Sequence, residues 1–189
     1  MPAPRTGQRI EASVARRILS WACLLAVAVA AAAATPVDDA APDFLAAVGG
    51  DWRGGAVHTP AGPFSYDIRF APDEAGCVSG VAEPGGVHHS WKFCPAEAGL
   101  ALEFLSDFGG NERPLLLQLR GIDAGTLVFH SETLGFLKVL ARLEADCLRL
   151  QVLHHDRLHV EIHLQRPPPG DGLPATGRCP WAMPVSESL

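Results

Sequence analysis

Positive charge is scarce in this chain of 189 residues: Lys and Arg number 15 against 21 Asp and Glu, for a formal net charge of -6. A nucleic-acid binder needs a surplus of basic side chains to neutralise phosphates, and any anionic partner would meet repulsion here. Charge of either sign is sparse, at 19% of residues against 48% hydrophobic, which excludes the polar, highly charged composition of a disordered chain. Cysteines number five, and no two stand close enough for a CxxC-type zinc site. Ser79, Ser90, Ser106 and Ser131 lack the nucleophile-elbow setting, and no His–Asp partner is fixed beside them, so no catalytic residue is assigned. Helical periodicity is nearly absent after residue 34. Only Asp43 to Val48 repeats with helical spacing, which predicts one or two turns.

What is present divides into unlike parts. Residues 1–34 carry Arg5, Arg9, Arg16 and Arg17 with a single acid, Glu11, and then an apolar run from Ile18 to Ala34 ahead of Pro36. A basic start, an apolar middle and small residues before a proline predict a secretory signal, cleaved near Ala34. The alternative is a retained membrane anchor, but a run of about 17 residues is the lower limit for crossing a bilayer and Ala is a poor substitute for Leu there. Cys23 lies inside the apolar stretch, which argues against lipidation, and the Arg pair matches the twin-arginine signal only in part. Without these residues the net charge is -9, with 11 basic and 20 acidic side chains. Four cysteines remain, Cys77, Cys94, Cys147 and Cys179, an even number in a chain bound for an oxidising periplasmic or extracellular space, so disulfides are expected.

From Trp52 onward the pattern alternates with period two and is broken by turn residues about every ten positions. Ten strands are predicted, at 51–58, 64–71, 76–83, 87–94, 99–106, 114–121, 126–132, 137–144, 147–153 and 158–166. A two-residue loop at Gly85-Gly86 sets a definite register, with Cys77 facing Cys94, Val78 facing Phe93, Gly80 facing Trp91 and Ala82 facing His89. Each large side chain then meets a small one, and the cysteines fall on a non-hydrogen-bonded pair within disulfide reach. Cys147 and Cys179 are left to each other, tying the Pro-rich tail of 167–189 back to the sheet. Ten neighbouring strands either stack as a sandwich or close into a barrel, and closure removes the exposed edges.

Gly50-Asp51-Trp52, reached through the short apolar turn from Phe44, resembles the G-x-W opening of the calycin superfamily, the lipocalin, fatty-acid-binding and nitrobindin-like barrels. The resemblance implies an all-β, closed, antiparallel up-and-down barrel of about ten strands over residues 35–166, with a short N-terminal helical turn. It also implies that Trp52 packs at the closed end against an arginine from the last strand. Arg166, in the parity of Leu158, Val160, Ile162 and Leu164, fills that position. No histidine here matches the haem-ligating motif of the nitrobindin-like group, and no cofactor is assigned.

Strand parity gives an inward set that is almost wholly apolar. A barrel of this size either fills itself with such side chains or keeps a cavity for one small molecule. Tyr66, His89, Trp91, Phe93, Phe104 and Phe129 are the predicted ligand-binding residues, with Tyr66 and His89 as the polar groups that orient a carboxylate, carbonyl or hydroxyl. The bland alternative is that those two bond to backbone or to each other. Ser106 to Asn111 is a Gly-rich loop that follows a strand rather than opening a helix, so it fails as a phosphate cradle and is read as a mouth loop with Phe108 as a lid, or as an ordinary wide turn. His159, Glu161 and His163 share the predicted outward face of the last strand, about 7 Å apart at successive positions, a pattern usual for a solvated surface; no metal is assigned. The expected role is reversible binding of a small hydrophobic, lipid-like molecule by an exported protein that has no membrane contact after cleavage. Two alternatives stand beside it: an isomerase or cyclase using the same cavity, and an envelope or interaction module with a packed core.

Overall fold

The structure, a computed structural model, describes residues 37–97, 99–107, 112–168 and 179–181, with side chains from 41 onward. The predicted leader, the Phe108 loop tip and most of the Pro-rich tail lie outside the described residues. A helix, α1 (Val37–Val48), precedes ten strands: β1 (Gly50–His58), β2 (Phe64–Pro72), β3 (Val78–Ala82), β4 (His89–Ala96), β5 (Gly99–Ser106), β6 (Leu115–Asp123), β7 (Thr126–Ser131), β8 (Leu137–Glu144), β9 (Cys147–His154) and β10 (Arg157–Gln165). Every strand pairs antiparallel with its sequence neighbours, and β10 pairs with β1 to close the barrel. Closure satisfies the backbone groups an open sheet would leave at its edges.

The strands form because apolar side chains alternate with polar ones. In β2, Tyr66, Ile68 and Phe70 point in and are buried, while Ser65, Asp67 and Arg69 point out. The β3–β4 hairpin has the predicted register throughout, from Val78↔Phe93 to Ala82↔His89. Its turn places Gly85 at φ 59° and Gly86 at φ 81°, with Val87 N–H donating to the Pro84 carbonyl at 3.0 Å. Two successive positive φ values make the type I′ geometry whose twist matches the strands, and glycine takes it without strain. At Gly80, a Cβ would sit 2.9 Å from Ile68 and Phe70 side-chain atoms, so the small residue opposite Trp91 is a packing requirement.

Both expected disulfides are present, Cys77–Cys94 and Cys147–Cys179, with Cα–Cα separations of 4.2 and 5.6 Å. Such bonds belong to an oxidising setting. The second anchors the tail to β9, and Trp181 there lies beneath the Arg142 guanidinium of β8, 5.7 Å from ring centroid to Cζ.

The expected short N-terminal helix is present and reaches back beyond Asp43 to Val37, 12 residues in all, running through Pro42, which has no N–H to offer the carbonyl four residues back. Tertiary packing compensates: Phe44 and Val48 are buried in the core, and the Phe44 ring meets Phe93 edge-on at 5.1 Å. One expectation is corrected: the parity of β10 breaks at its start. Leu158 pairs with Leu153 and Val160 with Val152, so His159 is the extra residue of a β-bulge. Leu158 is therefore exposed, at 37%, and no longer shares the inward face of Ile162 and Leu164.

Candidate functional site

The two ends of the barrel are chemically different. At one end α1 runs into β1, and its C-terminal carbonyls are taken in turn: Arg166 donates from Nη2 to Ala47, Trp52 Nε1 donates to Val48 at 2.7 Å, and Arg166 Nη1 donates to Gly49 at 2.7 Å. These are acceptors that a helix end otherwise leaves unmatched, and a cation there opposes the negative end of the helix dipole. The guanidinium also stacks on Trp52, 4.3 Å from the ring centroid. Trp52 and Arg166 thus form the expected pair at the closed end. Phe70, Phe93 and Phe129 pack beside Phe44, with ring centroids 6.0 Å apart for Phe70–Phe93 and for Phe93–Phe129, and fill this half of the barrel.

The other end is open. The β1–β2, β3–β4, β7–β8 and β9–β10 connections gather there with the end of β5 and the start of β6, because alternate loops of an up-and-down barrel share an end. A cavity of about 350 Å³ lies among them, at the small end of the range for ligand pockets. Trp91, Phe104, Leu115, Val152, Val160 and Ile162 form its walls, and Phe64, Leu137, Pro84 and Val87 its mouth. Of the predicted ligand-binding residues, His89, Trp91 and Phe104 line this cavity. Tyr66, Phe93 and Phe129 do not: they are fully buried in the packed core. The bulge turns His159 to the rim beside His154 rather than outward with Glu161 and His163, and their two rings stand 6.4 Å apart.

Thr59, Ser106, His154 and His159 are further polar side chains lining the cavity, and behind its wall His89 joins a chain of three side chains. Trp91 Nε1 donates to Tyr66 Oη at 2.8 Å, and Tyr66 Oη lies 3.2 Å from His89 Nδ1. An indole can only donate, so the phenol oxygen accepts from Trp91. Were it also to accept from His89, its own hydrogen would be left without an acceptor among the described residues, a cost of about 1–3 kcal/mol for a buried donor. Tyr66 therefore donates to Nδ1, and the imidazole proton sits on Nε2. Burial pushes the Tyr66 phenol far above its usual range, outweighing the Trp91 hydrogen bond that pulls it down, so it stays protonated. Burial likewise pushes His89 below its usual value, with Asp107 opposing and His88 assisting, and the ring is neutral at pH 7. Asp107 stands at the mouth, tied to β4 by its own N–H to the His88 carbonyl and by its carboxylate to the His88 N–H.

Outside the barrel, Glu161 accepts from His163 Nε2 at 3.0 Å and from Gln151 Nε2 at 3.1 Å, and pairs with Arg149 at 2.8 Å. Desolvation raises its pKa, but His163 and Arg149 outweigh that and hold it below the usual carboxylate range. This is a cross-strand polar tie. Among the described residues no group of three or more His, Cys, Asp or Glu is placed to hold a metal ion.

Compared with family models, with curated proteins and with solved structures, the chain finds no match. Sequence parity identified the wall but missed the mouth, since Leu137, Pro84 and Val87 lie in or beside turns. The signal was there in principle: once neighbouring strands are known to pair in order, odd-numbered hairpin loops must cluster at the end away from the helix.

Proposed function

We propose that the protein is an exported, calycin-like carrier that binds a small hydrophobic, lipid-like molecule reversibly, without covalent chemistry. The observation that carries this reading is the apolar cavity of about 350 Å³ at one end of a barrel whose other end is packed and helix-capped. A core meant only for stability would be filled throughout, because empty apolar volume is destabilising. The Gly50-Asp51-Trp52 opening and the Arg166 stack on Trp52 support calycin kinship. The basic, then apolar, leader and the two disulfides support export. The isomerase or cyclase alternative would use Tyr66 or His89 as acid or base. Tyr66 does not line the cavity, and the acceptor nitrogen of His89, Nδ1, is taken up by the Tyr66 phenol rather than turned to the cavity, which leaves the carrier reading ahead.

The test is to purify the exported protein, extract it with organic solvent and examine the extract by mass spectrometry. A stoichiometric small hydrophobic molecule is expected. An empty extract, together with failure of the protein to take up any small apolar compound, would overturn the reading.

A further inference from the structure

The Trp91–Tyr66–His89 chain has a direction, and that direction says what the cavity reads. Trp91 can only donate, Tyr66 passes one hydrogen onward, and His89 receives it at Nδ1. The ring that lines the cavity therefore offers one N–H, from Nε2, and no acceptor. Among the described residues no group takes up that N–H. We infer that His89 is the specificity-determining residue of the cavity, donating from Nε2 to an uncharged acceptor, a carbonyl oxygen or its equivalent, on an otherwise apolar ligand. This rests on the carrier reading and narrows it to a ligand class.

Both charged alternatives are disfavoured by what surrounds the ring. A cationic headgroup would face the N–H dipole. An anionic one would be desolvated among Trp91, Phe104 and Val152, with the Asp107 carboxylate at the same mouth. A hydrocarbon with no acceptor would leave the N–H unmatched on closing out water, and specificity of this kind comes from the unpaired polar group that a wrong ligand leaves behind.

Four compounds of one chain length make the test: 2-nonanone, nonane, nonanoate and nonylamine, titrated calorimetrically against the purified protein. The ketone is expected to bind best, about tenfold more tightly than nonane, with its carbonyl stretch moved to lower frequency when bound. His89→Phe is expected to bring ketone and alkane to within about twofold of each other and to abolish the frequency shift. His89→Gln, which keeps a donor, is expected to retain part of the preference and serves if the Phe variant does not fold. Nitrogen-15 spectra of wild-type protein are expected to place the ring proton on Nε2. Equal binding of ketone and alkane, a preference that survives His89→Phe, tightest binding of the amine or the acid, or a proton on Nδ1 would each overturn the inference while leaving the carrier reading standing. If wild-type protein binds none of the four, this inference is overturned, and the carrier reading falls with it only where the solvent extract is empty as well.

Discussion

His89 and Arg166 each do more than fill space, and each has a measurable signature. His89 is held below its usual pKa by burial, so the unfolded chain takes up its proton near pH 6.5 while the folded chain still resists. The sign follows: the unfolded state binds more protons in that interval, and stability is full above about pH 6.5 and falls as the pH drops toward the folded value. His130 is lowered as well, by burial and by Lys138 and Arg120, and adds in the same direction. Urea midpoints measured at pH 7.5 and 5.5 are expected to fall with acid in the wild type and to fall less in His89→Gln; equal losses in the two proteins would refute the assignment. Asp73, Asp156 and Glu161 are lowered too, and their contributions disappear only below about pH 4.5, where the unfolded carboxylates protonate. Arg166→Ala removes two donors to the helix end and the stack on Trp52, and is expected to cost about 2 kcal/mol in urea unfolding, discounted for the partial exposure of the side chain. Arg166→Lys is expected to recover less than half of that, because an ammonium cannot span two carbonyls and stack as well. His89 and Arg166 could be placed inward from alternation alone. The proton on His89 could not, since it depends on Tyr66, 23 positions away, and on Trp91 behind it.

At the scale of the element, the β3–β4 hairpin was legible to the residue, because a two-glycine turn permits one pairing and a slip by one would turn Phe93 and Trp91 outward. The start of the helix and the last strand were read less well for the same reason: their departures from pattern are settled by distant contacts. Residues before Asp43 become helical because Phe44 and Val48 are buried against the strands. His159 bulges out of β10 within the frame fixed by the pairings of β9 and β1 on either side. Phe44→Ala is expected to destabilise by about 3 kcal/mol by leaving a gap against Phe93, measured by chemical unfolding. The disulfides close loops with sequence separations of 17 and 32, worth about 3 to 4 kcal/mol each in the chain-entropy account. They act differently, however. Cys77–Cys94 staples β3 to β4, which their hairpin already pairs, whereas Cys147–Cys179 is what returns the tail to the barrel. Limited proteolysis of Cys179→Ser is expected to remove the chain beyond residue 168 while the barrel survives as a resistant fragment; rapid digestion of the whole chain would show that the tail is integral to the fold.

For the whole molecule, the division into a packed end and a hollow end is the property on which the proposed carrier role rests. Val160 is half-buried in the hollow end, while Phe93 is fully buried at the packed end. Val160→Trp is expected to fill the cavity and abolish uptake of apolar compounds with a stability change under about 1 kcal/mol, because the added ring occupies empty volume. Phe93→Ala is expected to do the reverse, costing about 3 to 5 kcal/mol in stability, since it empties a filled site. Calorimetric titration and urea unfolding of the two variants separate the roles; a Val160→Trp protein that still binds would mean that the ligand sits elsewhere. Alternation and turn chemistry by themselves determined ten antiparallel strands and the register that sets Cys77 opposite Cys94, because each is a local matter of period two or of backbone torsion, whereas Cys147 and Cys179 were matched only by being the two that remained. Only the tertiary structure decided which of those inward side chains touch one another and which face empty space. Parity says only that a residue points inward. How much of the interior Phe44, from outside the sheet, can fill depends on helix length and barrel closure, and from these came a packed floor under Phe93 and a cavity beside His89.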